Sequence, residues 1–196
     1  MPTPFDWLNA PHRWIAFALL SAAALAAAAA LSKQGAGLVT PQAPYGVLSY
    51  EFAWNAARAE AILGSWSDRT HDAVRQIRLD FGFLLLYPLA FSLGCAALAG
   101  SPRGSYPLLG AILAWAVLAA APLDALENYA LLRMLARSPS DSLARLAALC
   151  AGLKFALVLA SLAYIVLQGA ALAIVTDGRA VPACQTARRA SRARSC

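Results

Sequence analysis

The chain has 196 residues, of which 60% are hydrophobic and 13% charged, with a formal net charge of +6. Soluble domains carry about 25% charged residues, so half that share weighs against a water-soluble domain and for a membrane protein. With only His12 and His71 as histidines and four widely spaced cysteines, the sequence argues against a bis-histidine haem and indicates neither a zinc site nor a disulfide framework, so neither metal nor cofactor is expected.

Four uncharged stretches are long enough to cross a bilayer, which takes roughly 17–25 helical residues: Trp14–Leu31, Phe81–Gly100, Tyr106–Leu123 and Phe155–Val175. They are continuously apolar and rich in Ala and Leu instead of alternating, which argues against strands. The expected fold is all-α: one polytopic membrane domain over 1–196, its four transmembrane helices forming an antiparallel bundle. The first helix covers about 14–31. Arg13 and the small residues of "ALAAAAALS" also fit a cleavable signal peptide, but the apolar core of about eighteen residues exceeds the usual 7–15 and favours a retained helix.

The long first loop has a pattern of its own. Phe52, Ala56, Ala59, Leu63 and Trp66 recur at helical spacing, with Glu51, Asn55 and Arg58 on another face, so an amphipathic helix is predicted over about 48–64. Trp54 and Trp66 suit an interfacial position. The second transmembrane helix is predicted over about 69–99, with Ser67 and Asp68 as N-caps. The third covers about 107–136, opened by Pro107 and ended by "RSPSDS". Pro122 leaves two courses open there: one helix with a freed carbonyl at Leu118, or a break with a new helix beginning at Pro122. The fourth helix follows Ser140 or Asp141 over about 142–176, and a basic tail fills 177–196. The last three helices, near 30 residues each, come to about 45 Å against a hydrocarbon core of about 30 Å, so the bundle is expected to project beyond the membrane on one side.

Arginine placement sets the expected topology. Arg13, Arg103 and the five arginines of the tail fall on one side, against Lys33, Arg58, Arg69, Arg75, Arg78, Arg133, Arg137 and Arg145 on the other. The tail decides for an N-in, C-in protein. Topology is a sufficient reason for these arginines, so no nucleic-acid partner is expected. The expected partners are membrane lipids, with a homo-oligomer or a membrane-protein partner left open.

The third helix carries "PLDALENYALL", in which Asp124, Glu127 and Asn128 follow an apolar run and share one face with Leu131. Short loops make neighbouring helices antiparallel. A loop centred near Pro139 then places Asp124 level with Lys154, and one centred at Pro102 and Arg103 places Asp80 level with position 125. Cys150, Lys154, Ser161 and Gln168 form a polar stripe on the fourth helix, and Gln76, Asp80, Tyr87 and Gly94 on the second. Such stripes should face the bundle interior, because a lipid-facing charge costs about 2.5–3.5 kcal/mol. The candidate ligand-binding residues are therefore Asp80, Asp124, Glu127, Asn128, Lys154, Tyr87 and Glu51, with more acids than Lys154 alone can balance.

The segments "EFAWNAARAEAILGSW", "LDFGFLLLYPLAF", "PLDALENYALL" and "LKFALVLASLAYIVL" resemble a group of uncharacterised bacterial four-helix membrane proteins, over roughly residues 45–168. The matching positions are Glu51, Asp80, Asp124 with Glu127 and Asn128, and Lys154. The resemblance implies a fold and no activity. Three functions stay open: binding or transport of a cation, proton or amine ligand at an outward-facing acidic site; carboxyl acid–base catalysis on a lipid-soluble substrate; and a non-catalytic assembly role. No P-loop, HExxH, GxSxG or dinucleotide fingerprint is present.

Overall fold

The computed structural model describes residues 1–101 and 106–192, with side chains through position 174. The loop centre at Pro102 and Arg103, Cys184, Cys196 and the tail arginines' side chains lie outside the described residues. Within the described part there are no strands, and four helices are long and apolar enough to cross a membrane: Ala10–Leu38, Ser67–Ala99, Pro107–Ala136 and Asp141–Ile174.

Two of the helices begin where an asparagine side chain satisfies an amide of the first turn. Helix α1 (Ala10–Gly35) is capped by Asn9, whose side chain accepts from the His12 N–H at 3.3 Å, with a proline in its first turn. The loop that follows holds two short helices, α2 (Val47–Glu51) and α3 (Ala56–Ser65), where one helix over 48–64 was expected. Asn55 causes the break: its backbone is extended and its Oδ1 accepts from the Arg58 N–H at 2.8 Å, so the helical register restarts at Ala56. The reversal before it passes through Trp54, whose φ of 63° is left-handed.

Helix α4 (Thr70–Ala99) follows a 3₁₀ turn, Ser67–Arg69. Ser67 and Asp68 do not cap it; α4 has no side-chain cap, and the Thr70 hydroxyl turns back to the Trp66 carbonyl at 3.2 Å. Helices α5 (Pro107–Ala116) and α6 (Ala120–Ala136) are joined without a loop by a 3₁₀ turn, Val117–Ala119. The structure thus follows the first of the two courses foreseen at Pro122, one helical path from Pro107 to Ala136. The helical path continues, and it tightens just before the proline, which has no N–H to return to Leu118. Helix α7 (Asp141–Arg192) runs on past the expected end near 176. At its start Ser140 Oγ accepts from the Leu143 N–H at 3.4 Å, while Asp141 accepts from the first amide of α3 at 2.8 Å.

Helix α4 is central. It packs along α1 and against α5, α6 and α7, while α6 lies along α7. At the end of the molecule where the 36–66 loop lies, the Trp66 indole donates to the Leu38 carbonyl at 2.8 Å and the Arg69 guanidinium to the Gly37 carbonyl at 2.7 Å. Trp66, expected at an interface, is buried, with its ring edge-on to Tyr50 at 5.5 Å. Its indole has found a partner inside the protein, and the aromatic pair is worth about 0.5–1.5 kcal/mol beyond its buried area. Leu38, Ile62, Ile77, Leu131 and Met134 complete this core. A second core of Cys95, Ala96, Leu98, Ala114 and Tyr164 fills the opposite end. The candidate residues lie between the two.

Candidate functional site

Lys154 of α7 organises the site. Its ammonium donates to Asp124 Oδ1 at 2.7 Å and to Glu127 Oε1 at 3.0 Å, and Glu51 Oε2 stands 3.7 Å away. Asp124 and Glu127 of α6 are fully enclosed, and the Lys154 side chain is only 9% exposed. Two further bonds bring in α4. The Tyr87 hydroxyl donates to Asp124 Oδ2 at 2.9 Å, so both oxygens of that carboxylate are engaged. Asn128 donates to Asp80 Oδ2 at 2.7 Å.

All seven candidate residues are therefore brought together, from α2, α4, α6 and α7. The i, i+3, i+4 spacing on α6 supplies three of them from one face, and the level assigned to Lys154 against Asp124 holds to contact distance. Asp80 bonds three positions beyond the level expected for it, which is less than one helical turn. Other members of the predicted stripes are buried as well: Cys150, Ser161 and Gln168 on α7, and Gly94 on α4. Gln76 is half-buried nearer the loop.

A cavity of about 270 Å³ opens beside this network. Glu51, Asp80, Asp124 and Lys154 give it polar walls, and the rest is aromatic or aliphatic, including Phe83, Phe91, Phe155 and Val158. Glu51 and Asp80 also border a smaller cavity of about 190 Å³ on the loop side, with Gln76, Asn128 and the exposed ring of Tyr45. These two carboxyl groups thus border both the loop-side cavity and the main cavity. Over the main cavity, Phe52 stacks on Phe155 at 6.1 Å, and the Lys154 ammonium lies 5.3 Å from the Phe155 ring centre. Among the described residues, no three of His, Cys, Asp and Glu are arranged to hold a metal ion.

No family model, curated protein or solved structure matches the chain. The chemistry of the site follows from its own geometry.

Sequence reasoning missed the aromatic wall. Phe83 and Phe91 fall on the same face of α4 as Asp80 and Tyr87, at i+3 and i+11 from Asp80, and that spacing was available to find them. Phe155 gave no comparable signal, since it follows Lys154 directly and neighbours along a helix point apart. Pro88, buried beside Tyr87 inside α4, was also passed over. It removes one helical hydrogen bond at the level of the cavity.

Glu51 is the member of the network supplied by the loop. Burial pushes its carboxyl above the ordinary range, opposed by the Lys154 charge and by a hydrogen bond with the Glu127 carboxyl. A carboxyl raised in the folded state holds its proton more tightly there than in the unfolded chain. Its contribution to stability is complete below the unfolded value of about 4.3 and is lost as pH rises through the folded one. Thermal unfolding of the wild type and Glu51→Gln between pH 4.5 and 8 should therefore diverge, the wild type losing stability relative to the variant as pH rises. Parallel curves would mean that Glu51 titrates as it does in the unfolded chain.

Proposed function

We propose that this chain is a multi-pass protein of a bacterial inner membrane whose buried polar network binds a ligand bearing a cationic amine. One observation carries the reading: three carboxyl groups, from Glu51, Asp124 and Glu127, surround the single ammonium of Lys154, and a fourth, Asp80, lies beside them at the edge of a cavity. A second ammonium favours the charged form of the carboxyl groups that Lys154 alone does not balance, and it has donors for oxygens such as Glu51 Oε2, which is buried 3.7 Å from Lys154 without a hydrogen-bond partner. Since the acids are not set out as metal ligands, an alkylammonium is the better match than a metal cation.

In this reading the four long helices form an antiparallel bundle with both termini on the cytoplasmic side. The loop segment is amphipathic: it turns Ala59, Ile62 and Trp66 inward and closes the outer end over the site. The likeness of residues 45–168 to bacterial four-helix membrane proteins is part of the same proposal, as the positions that carry it are those of the network. Binding is favoured over passage across the membrane. The main cavity stops at Phe91 and Val158, and the core of Cys95, Ala96, Leu98 and Tyr164 is packed beyond it.

The test is equilibrium dialysis of radiolabelled butylamine against the purified protein in nanodiscs. Charge-assisted hydrogen bonds contribute about 1.5–3 kcal/mol, so Asp80→Asn is expected to weaken binding by roughly 10- to 100-fold. Binding that is indifferent to Asp80→Asn, or absent from the wild type, would sink the proposal. A second reading, carboxyl catalysis on a lipid-soluble substrate, draws support from the Tyr87 hydroxyl poised on Asp124 at the cavity wall.

A further inference from the structure

The acidic cavity has a neighbour. Phe83, Tyr87 and Phe91 form one of its walls, and the same three rings wall a second cavity of about 280 Å³ between α1, α4 and α7. Spaced four apart, they make one continuous face of α4 roughly two turns long. Apart from Ser21 the rest of the second cavity's lining is apolar, with Phe17, Ala24 and Ala28 from α1 and Leu162 and Ile165 from α7. Leu25 and Leu162, at its border, are exposed on the side of the helices. The crevice therefore opens laterally, where a membrane's hydrocarbon would lie, and it shares the three rings with the cavity lined by Asp80 and Asp124.

We propose that the two cavities together hold one molecule, a single-chain amphiphile with a cationic amine head. The head lies among Glu51, Asp80 and Asp124, and the tail lies between α1, α4 and α7. This rests on the amine-site reading above and adds the class of amine. Size agrees: small-molecule pockets span roughly 300–1,000 Å³, and each cavity alone falls just short of that range while the joined pair falls inside it. Charge decides the head. Anionic and zwitterionic bilayer lipids present a phosphate, which the carboxyl groups repel, whereas an alkylammonium remains charged near neutral pH. The tail supplies fit more than affinity, because lipid chains are as apolar as the crevice and transfer between them gains little. Selection among lipid-soluble molecules therefore falls to the head.

The experiment uses the full chain in nanodiscs and two photoreactive probes, dodecylamine and dodecanol, each with a diazirine in mid-chain. Labelled peptides are mapped by mass spectrometry. The amine probe is expected to label residues 17–28 and 83–91 at least fivefold more than the alcohol, saturably, and in competition with plain dodecylamine. Glu51→Gln combined with Asp80→Asn should bring amine labelling down to the alcohol's level. If that variant does not fold, Ala28→Phe serves instead: it touches no charge, fills the apolar cavity and should lower labelling of 83–91 at least fivefold. Equal labelling by both probes, or labelling spread evenly over the lipid-facing helices, overturns the proposal. Butylamine dialysis separates the amphiphile from the amine site. Butylamine binding without preferential tail labelling overturns the amphiphile and leaves the amine site standing, and failure of both overturns both.

Discussion

Replacing Lys154 by methionine is expected to destabilise the protein by about 3–5 kcal/mol, measured as the unfolding free energy of purified protein in denaturing-detergent titrations. Methionine keeps most of the length and packing of the lysine stem, so the loss isolates the charge. What it leaves behind is costly: Asp124 and Glu127, both fully enclosed, face each other and Glu51 without a cation. The comparison with a neutral bond shows which effect wins. Hydrogen bonds between membrane helices average about 0.6 kcal/mol in mutant cycles, so deleting the Asn128–Asp80 bond should cost several times less than deleting the ammonium. Combining Lys154→Met with Asp124→Asn should recover part of the loss, with a coupling of about 0.5–3 kcal/mol, because one orphaned carboxylate is removed. Recovery is partial since Glu127 remains, and Lys154→Met with Glu127→Gln should show the same sign. Additive effects in both cycles would mean that these charges do not satisfy one another.

Much of this network was legible because helical geometry is rigid. Once two helices are joined by a short loop, levels follow from counting residues, and Asp124 opposite Lys154 came from the position of Pro139 alone. Phase gave the rest: Asp124, Glu127 and Asn128 can share a face only by i, i+3, i+4 spacing, and burial of charge favours turning that face inward. The loop was less legible, for a physical reason. Apolar residues at helical spacing from Phe52 to Trp66 describe which side chains go inside, and that pattern survives a break in the backbone. The break depends on Asn55, whose side chain caps better than it continues a helix. Trp66 was misplaced because its amphipathic ring suits a membrane interface and a protein interior equally, provided the indole finds an acceptor. The Leu38 carbonyl, 28 residues away, is a partner no local pattern reveals.

The cavities were the least legible feature, since empty space is defined by several chains of contacts at once. Their arrangement nevertheless gives the polar layer a consequence beyond helix register. A network built only to fix register gains from being closed, with every oxygen engaged. Here Asp124 meets that condition through Lys154 and Tyr87, whereas Glu51 and Asp80 border open volume on two sides. Under the proposed function Glu51 and Asp80 supply the free carboxyl oxygens for a ligand, and Asp124, engaged by Lys154 and Tyr87, forms the wall behind them. That division is what separates Lys154→Met, a stability variant, from Asp80→Asn, a binding variant.

The second large effect is expected at Gly94. A methyl group built on this position would stand 2.7 Å from Ile165 and 2.8 Å from a ring carbon of Phe17, both well inside contact distance. The absent side chain is what lets α1 and α7 approach α4 at the lower edge of the apolar crevice. Small residues serve this purpose in membrane helices, where close packing substitutes for the hydrophobic effect. Gly94→Ala should therefore destabilise by about 1–3 kcal/mol, the usual cost of overpacking, and Gly94→Leu by more. The sign is informative because the same change elsewhere should reverse it. Gly152 on α7 is exposed, a methyl group added there would meet no atom within 4 Å, and Gly152→Ala should gain up to about 1 kcal/mol through helix propensity. Matched unfolding titrations of the two alanine variants would distinguish a packing constraint from a general intolerance of the helices to substitution. If Gly94→Ala proved as stable as Gly152→Ala, α1 would not be held against α4 and α7 as described, and the apolar cavity they enclose would lose its basis.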